Sequence, residues 1–389
     1  MQNILWSILL INISVPFISK QNQEDVMHAL IKESVSTYGI EVNDFEEAIS
    51  KQCKTKYVVA VNSGTSALEL TARMLLRDGN DFESNSIVAV SDYTFIATSN
   101  ALLNTGLGVC PIPCLETNYA MCPKALKNEI EARQSQSKKK LSGVFVTLPG
   151  GNLVSTLSEL ANICESYDLP LIIDAASSIA VNFNELYKLC PNVAAITLSF
   201  NGNKVITSGA GGAILTNLEH LADKVRTHIS LHRVSKYEHV GVGENKKMPA
   251  LTAALGLSQL QELDWRMSAR KKIFDTYKSL LKDTKLGSIF RFSIDDTVIS
   301  PSFWIAGLIP RDCEDKQLIE RSRNLLNELD IASPPFWKLL SDQADYSKFL
   351  NLPIYVKSKP LPDYLQLPSH FSLDLDLITL KIKEFEEKL

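Results

Sequence analysis

The sequence lacks the short motifs that mark metal, disulfide and dinucleotide sites. Its seven cysteines are scattered and form no CxxC pair, and its six histidines form no HExxH pattern. We therefore expect free thiols in a reducing cytoplasm and no metal site. No GxGxxG follows the first predicted strand, which argues against a nicotinamide-dependent sugar enzyme.

Excess charge of one sign is also missing. The 389 residues include 40 Lys and Arg against 44 Asp and Glu, for a net charge of -4. No basic run is longer than Lys138–Lys140, so we expect no nucleic-acid partner. The hydrophobic share of 45% and the charged share of 22% are typical of a globular chain, with length enough for two domains.

The segment Met1–Ile18 carries no charge, and its apolar stretch "ILWSILLINISVPFI" raises the question of a membrane helix. Asn12, Ser14 and Pro16 interrupt this stretch, and neither a basic n-region nor a small-residue cleavage site accompanies it. We expect a buried N-terminal arm without membrane insertion, and a membrane segment is the alternative.

Short β-branched runs alternate with helical patterns between Lys56 and Gly212. Runs of this kind are buried on both faces of a sheet, which predicts a mostly parallel sheet covered by helices. The spacing of Leu157, Leu160, Ala161 and Cys164 predicts one of these helices. The predicted strands are "KYVVAV", "SIVAVS", "LGVCPI", "GVFVTL", "PLIIDA" and "AAITLSF".

The remainder of the chain predicts a connector and a smaller α/β domain. A long helix or helix pair follows Pro249, with a polar C-terminal half. Strand-like pieces follow around Phe290 and over Phe303–Leu308, then a helix over Cys313–Leu329 and a closing helix near Leu373–Leu389.

Two candidate sites come directly after predicted strands, where ligands bind in open α/β sheets. Ser63–Ser66, in "VNSGTSALEL", stands between a strand and a helix, and this position suits a phosphate at the helix N-terminus. A plain N-cap is the competing interpretation. In "SDYTFIATSNALL", Tyr93 and Phe95 offer an aromatic face for a planar ring, or simply core packing.

Two further candidates carry charge. Asp174 ends the apolar run "LPLIID", where a partly desolvated carboxylate is stabilised by a cationic partner. A role as a helix N-cap is equally compatible with this position. Lys204, in "LSFNGNKVITSGAGG", is either a solvated surface lysine or a nucleophile with a lowered pKa that forms a Schiff base. An anion cradle, an aromatic plate, a carboxylate and a lysine together indicate pyridoxal 5'-phosphate as cofactor.

These motifs resemble the fold-type I, pyridoxal phosphate-dependent nucleotide-sugar aminotransferases of the DegT/DnrJ/EryC1/StrS family. The similarity runs from about Ile13 to the C-terminus and includes "VAVNSGTSALEL", "LPLIIDAASS" and "MPALTAALGLSQLQELD". It implies a seven-stranded, mostly parallel sheet between helices, with an N-terminal arm at 1–19, a large domain at 20–262 and a small domain at 263–389. It also implies a cytoplasmic homodimer with shared active sites.

The resemblance assigns roles to individual residues. Lys204 would bind the cofactor as a Schiff base and shuttle the proton, while Asp174 would pair with the pyridinium nitrogen and Phe95 would stack on the ring. Ser177 stands where the family has Gln or Glu, near the cofactor's phenolic oxygen, and Asn245 would reach the phosphate of the neighbouring subunit. The family's own-chain phosphate positions are occupied by Gly64, Thr65, Ser66 and Ser199.

The wording "SFNGNK" is similar to the subgroup that aminates UDP-4-keto-6-deoxy-N-acetylhexosamines, with L-glutamate as amino donor, for surface-glycan synthesis. Departures from the family at Ser177, Ala210 and Ala250 bear on substrate choice and efficiency. The alternatives are a drifted homologue that binds pyridoxal phosphate or a sugar nucleotide without catalysis, and an aminotransferase for GDP-4-keto-6-deoxymannose. A related sugar dehydratase is disfavoured, because those relatives commonly replace the lysine with histidine and Lys204 is intact.

Overall fold

A seven-stranded sheet forms the centre of the protein. The computed structural model describes residues 10–76, 86–312, 315–354, 358 and 361–389. The strand order is β1-β8-β7-β6-β4-β2-β3, in which β8 runs antiparallel to both of its neighbours and every other adjacent pair is parallel. The strands are β1 (Tyr57–Val61), β2 (Ile87–Ser91), β3 (Gly108–Ile112), β4 (Leu141–Thr147), β6 (Leu171–Asp174), β7 (Ala195–Ser199) and β8 (Gly212–Thr216).

The sheet is buried on both faces, and this explains the unbroken apolar runs in the sequence. Alternate side chains of a strand point to opposite faces. In β1, Val58 and Ala60 join one hydrophobic core, whereas Val59 and Val61 join the other. Neither face is solvated, so the strands lack the apolar-polar alternation of a half-exposed sheet.

Helices cover the two faces. In the helix over Leu157–Ser166 the predicted positions Leu157, Leu160 and Cys164 are buried, while Ala161 is partly buried. The helices are α1 (Lys20–Ile31), α2 (Ile40–Cys53), α3 (Gly64–Leu76), α4 (Ile96–Asn104), α5 (Pro123–Ser135), α6 (Leu157–Ser166), α7 (Phe183–Leu189), α8 (Glu219–Ile229), α9 (Ala250–Gln261), α10 (Leu263–Leu281), α11 (Lys285–Ile289), α12 (Lys316–Glu328) and α13 (Leu375–Lys388).

The C-terminal region has its own core around a three-stranded antiparallel sheet. The strand predicted from Phe303 begins only at Ala306, because Phe303 has a φ of 52° and interrupts the extended backbone. α9 and α10 form the predicted helix pair, with Glu262 between them; the domain boundary there stays a prediction. The strands are β11 (Phe290–Phe292), β13 (Ala306–Pro310) and β14 (Leu365–Leu367).

Two smaller pairings complete the fold. β5 (Leu153–Val154) pairs with β12 (Val298–Ser300) and ties the C-terminal region to the loop after β4. A hairpin of β9 (Arg233–Ser235) and β10 (Glu238–His239) follows α8. The predicted start of α12 at Cys313 lies outside the described residues.

The described part of the N-terminal arm packs against the rest of the protein. Ile11 forms a β-bridge with Ile331, and the Phe17 ring lies 5.6 Å from that of Trp265. The Ser14 hydroxyl donates to the carbonyl of Asn203 at 3.0 Å, beside Lys204. None of the helices in the described ranges is both long and apolar enough to cross a membrane.

Candidate active site

The carboxyl ends of several strands border a cavity of about 360 Å³. Loops after β1, β2, β4, β6 and β7 contribute to its wall, as expected for ligand sites in parallel sheets. Trp304 and Trp337 of the C-terminal region close the opposite side. All the predicted site residues line this cavity except Ser66 and Asn245; those that do are Gly64, Thr65, Phe95, Asp174, Ser177, Ser199 and Lys204.

Lys204 presents its amine to this cavity. Its Nζ donates to Ser177 Oγ at 2.7 Å and lies 4.1 Å from the centre of the Trp304 ring. Burial lowers the pKa of Lys204 to about 8, although the negative charge of Asp174 opposes this shift. About a tenth of the amine is therefore neutral, and nucleophilic, at pH 7, far more than for an ordinary lysine.

Trp304 is a residue that the sequence did not point to. Its indole N–H donates to the carbonyl of Asn203 at 2.7 Å, which holds the turn just before Lys204. Behind it the buried guanidinium of Arg270 donates to the Trp304 carbonyl at 2.8 Å. About a hundred residues separate Trp304 from Lys204 in the chain, so no local motif could have linked them.

Asp174 lies at the end of β6 and is 5% exposed. Its Oδ2 accepts from the Thr98 hydroxyl at 2.6 Å, and its Oδ1 accepts from the Ala176 N–H at 3.0 Å. Burial raises the pKa of Asp174, while these hydrogen bonds and the charge of Lys204 oppose the shift. Because no salt bridge joins Asp174 to a cation in the described ranges, its carboxylate can receive a cationic partner from the cavity.

The start of α3 is both capped and open to the cavity. Ser63 Oγ accepts from the Ser66 N–H at 3.0 Å, so the N-cap interpretation holds. The N–H groups of Gly64 and Thr65, in the first turn, have no partner within the helix and border the cavity. A Cβ on Gly64 would stand 2.7 Å from the Cβ of Ser199, so glycine lets the helix start approach the end of β7.

Ser66 and Asn245 lie away from the cavity wall. The Ser66 hydroxyl donates to Asn62 Oδ1 at 2.7 Å, which turns it toward the preceding loop. Asn245 is exposed, on a segment whose neighbour Lys246 pairs with Glu69 at 2.8 Å. Asn245 is therefore not part of the cavity wall of its own chain.

The two aromatic residues of "SDYTF" lie in different places, one in the hydrophobic core and the other in the cavity wall. Tyr93 is buried against Tyr119, with ring centres 4.9 Å apart, and is therefore a core residue. Phe95 is 54% exposed and lies in the cavity wall, where its ring centre is 6.1 Å from that of Trp337. An exposed ring at this place offers a face to a planar ligand.

These groups fit pyridoxal phosphate. The free N–H groups of the α3 start suit its phosphate, and the buried carboxylate of Asp174 suits a protonated ring nitrogen. The amine of Lys204 suits its aldehyde. The cavity of about 360 Å³ lies within the range of cofactor pockets.

Comparison with known proteins also supports pyridoxal phosphate as the cofactor. Residues 16–379 match the DegT/DnrJ/EryC1/StrS aminotransferase family. EpsN of Bacillus subtilis, whose name classes it with the pyridoxal phosphate-dependent aminotransferases, is 29% identical over 341 residues, which cover 86% of this chain and 83% of that protein.

Two further relatives act on different sugars. A Campylobacter jejuni UDP-4-amino-4,6-dideoxy-N-acetyl-beta-L-altrosamine transaminase is 30% identical over 261 residues, 66% of each chain. A GDP-perosamine synthase of Escherichia coli O157:H7 is 25% identical over 344 residues, 87% of this chain and 88% of that one.

Among solved structures, the Helicobacter pylori aminotransferase PseC, involved in pseudaminic acid biosynthesis, superposes with a TM-score of 0.81 at 21% identity. The match covers 98% of this chain and 100% of that one. The predicted α/β fold with its mostly parallel seven-stranded sheet is thus confirmed.

Proposed function

Because the chain belongs to the DegT/DnrJ/EryC1/StrS aminotransferase family, we propose that it transfers the amino group of L-glutamate to C4 of a nucleotide-linked 4-keto-6-deoxy sugar. It is a pyridoxal phosphate-dependent sugar-nucleotide aminotransferase. The proposed acceptor is a UDP-4-keto-6-deoxy-N-acetylhexosamine, and the product would serve surface-glycan synthesis.

The observation that carries this proposal is the position of the Lys204 amine. It lies in the same cavity wall as Asp174 and the start of α3, and it donates to Ser177 Oγ at 2.7 Å. A buried amine with a pKa lowered to about 8 can both accept and donate a proton near neutral pH. Lys204 is therefore the proposed base and acid at the substrate carbon.

The chemistry divides between the cofactor and the chain. Bound pyridoxal phosphate supplies an aldehyde for amine exchange and a ring that withdraws electrons from the reacting carbon. The carboxylate of Asp174, which is buried in the cavity wall, would pair with a protonated ring nitrogen. Lys204 Nζ moves the proton, and Ser177 Oγ accepts a hydrogen bond from that nitrogen and so fixes its direction.

The remaining residues of the cavity wall are proposed to bind the cofactor and to shield the Lys204 amine. The N–H groups of Gly64 and Thr65 and the hydroxyl of Ser199 are proposed to hold the phosphate. Phe95, in the cavity wall, would cover one face of the ring. Trp304 packs on the Lys204 amine and limits the access of water to it.

We further propose a homodimer with shared sites. Tyr237, Val240 and Val242, around the β9–β10 hairpin, are each at least 68% exposed, which is unusual for apolar side chains that have no partner surface. The exposed Asn245 follows in the same segment. This arrangement supports an Asn245 that binds the phosphate in the neighbouring subunit. The cytoplasmic location stays a prediction.

A second acceptor, GDP-4-keto-6-deoxymannose, is favoured by one observation. The match to the GDP-perosamine synthase covers 87% of this chain, against 66% for the altrosamine transaminase. Both acceptors carry a keto group at C4, so the same proposed chemistry applies to both.

One experiment tests the reaction and the nucleotide together. The purified protein with pyridoxal phosphate and L-glutamate is incubated with UDP-, GDP- and dTDP-linked 4-keto-6-deoxy sugars, and 2-oxoglutarate and product mass are measured. We expect 2-oxoglutarate in equal amount to an amino sugar, with the UDP-linked N-acetylhexosamine turned over fastest. Absence of product across the panel would contradict the proposed function.

A further inference from the structure

Three buried threonines form a chain of hydroxyl groups that ends on Asp174. Thr147 Oγ1 and Thr94 Oγ1 lie 2.7 Å apart, and Thr94 Oγ1 and Thr98 Oγ1 lie 2.8 Å apart. Thr98 Oγ1 donates to Asp174 Oδ2 at 2.6 Å. Each threonine is at most 5% exposed, although all three border the cavity, so water has little access to these bonds.

Four elements of the fold contribute to this chain. Thr147 and Asp174 are register partners at the ends of the neighbouring strands β4 and β6. Thr94 lies in the loop after β2, and Thr98 lies in the first turn of α4. The Thr147 N–H also donates to Ser91 Oγ at 3.1 Å, which links β2 to β4 at the same level. The packing of the strand ends thus fixes the geometry of the chain.

The ionised carboxylate sets the direction of every bond. A carboxylate can only accept hydrogen bonds, so the single hydroxyl proton of Thr98 must be donated to Asp174. Thr98 can then only accept from Thr94, and Thr94 can only accept from Thr147. All three protons therefore point toward Asp174, and successive hydrogen bonds in such a chain strengthen one another.

We propose that Thr98, supported by Thr94 and Thr147, is a positioning residue that keeps Asp174 ionised and directed into the cavity. The burial of a carboxylate favours its neutral form, and the Thr98 hydroxyl is the strongest group that opposes this effect on the pKa of Asp174. Lys204 is the charged group in the described ranges that acts on Asp174, and it acts without direct contact. The Thr98 hydroxyl, at the end of the chain, is thus the main group of the protein that favours the charged form of Asp174.

The proposal rests on the role proposed for Asp174. A neutral carboxyl cannot form an ion pair with a protonated ring nitrogen, so loss of the hydroxyl should weaken the binding of pyridoxal phosphate. Charge-assisted hydrogen bonds are the stronger class, and we expect about tenfold weaker binding at neutral pH. The loss should be smaller for Thr94, which is one bond removed from the carboxylate.

The test compares Thr98→Val, which keeps the shape and removes the hydroxyl, with Thr98→Ser, which keeps the hydroxyl. The Kd of pyridoxal phosphate is measured by fluorescence titration from pH 5 to pH 9. In the wild type, binding should weaken as the pH falls through the pKa of Asp174. In Thr98→Val that weakening should begin about one pH unit higher, with Thr94→Val intermediate and Thr98→Ser close to the wild type.

Two results would overturn the proposal: a Thr98→Val protein with the wild-type pH profile, or a Thr98→Ser protein as impaired as Thr98→Val. If Thr98→Val does not fold, Thr98→Ala must show the shift of about one pH unit expected for Thr98→Val, and Thr94→Val must show a smaller shift in the same direction. Failure of the wild type to bind pyridoxal phosphate would instead contradict the proposed function, so the two failures are distinguishable.

Discussion

The wall of the cavity and the segment from Leu231 to Asn245 differ in the surroundings of their side chains: those of the wall contact other groups of the chain, and those of the segment face solvent. In the wall, Asp174 and Lys204 are partnered by groups of the same chain, and Thr98 is buried. In the segment, Tyr237 and Val242 are 87% and 89% exposed. The side chains of the cavity wall thus find their partners within the chain, whereas this segment exposes large apolar side chains to solvent.

We therefore expect residues of the cavity wall to act in the reaction and residues of the exposed segment to act in the association of subunits. Changes in the wall should affect the reaction and leave the association of subunits intact. Changes in the exposed segment should affect association and cofactor retention, and a second subunit should be able to correct them. The following predictions test this separation from the largest expected effect to the smallest.

Lys204→Ala should reduce transamination by at least about 1000-fold, because it removes both the covalent attachment and the acid-base group. Turnover is measured as 2-oxoglutarate release under saturating substrate. The matched control is Lys188→Ala, which removes a 70% exposed lysine paired with Glu185 and should keep wild-type turnover. Comparable activity in both variants would place the chemistry elsewhere.

Asp174→Asn should lower turnover by about 10- to 100-fold, the value of a charge-assisted interaction lost in the reaction. The free energy of unfolding of the apoprotein should stay unchanged or rise, because the substitution removes a buried charge. Denaturant unfolding and steady-state rates measure the two effects separately. Wild-type turnover with a loss of stability would instead indicate a purely structural carboxylate.

Asn245→Ala should weaken the binding of pyridoxal phosphate about tenfold through the loss of one hydrogen bond to a phosphate oxygen. Mixed dimers with Lys204→Ala subunits provide the sharper test. If Asn245 acts across the interface, one site of each mixed dimer keeps both residues, and its turnover at limiting pyridoxal phosphate should exceed that of an Asn245→Ala site. Purified mixed dimers without recovered activity would show that Asn245 acts within its own chain or not at all.

The capture of pyridoxal phosphate by the apoprotein should accelerate about fivefold between pH 7 and pH 8, because the neutral fraction of Lys204 rises through its pKa of about 8. Stopped-flow absorbance measures the rate, with a plateau expected above pH 9. A midpoint near the ordinary lysine value of 10.5 would mean that burial does not act on this amine.

The sequence predicted the sheet and most of the cavity wall for a physical reason. β-Branched runs are buried on both faces, and polar residues directly after them, such as Asp174 and Lys204, meet at one edge of a parallel sheet. The connector after Pro249 and the strand near Phe290 were also predicted.

Contacts between distant segments could not be predicted in the same way. Thr94 and Thr147 are separated along the chain by α4, β3 and α5, and they come together only through the order of β2, β4 and β6. Trp304 reaches the Lys204 turn from the C-terminal region. The family resemblance assigns Ser66 to the phosphate; its hydroxyl donates to Asn62 Oδ1, and the phosphate role stays a prediction.

The central claim is that Lys204 carries the cofactor, and one measurement tests it directly. The purified protein is incubated with pyridoxal phosphate, reduced with borohydride, digested and mapped by mass spectrometry. A single phosphopyridoxyl group on the peptide that contains Lys204 is the predicted result. A protein that stays unlabelled, or one labelled at another lysine, would contradict the account.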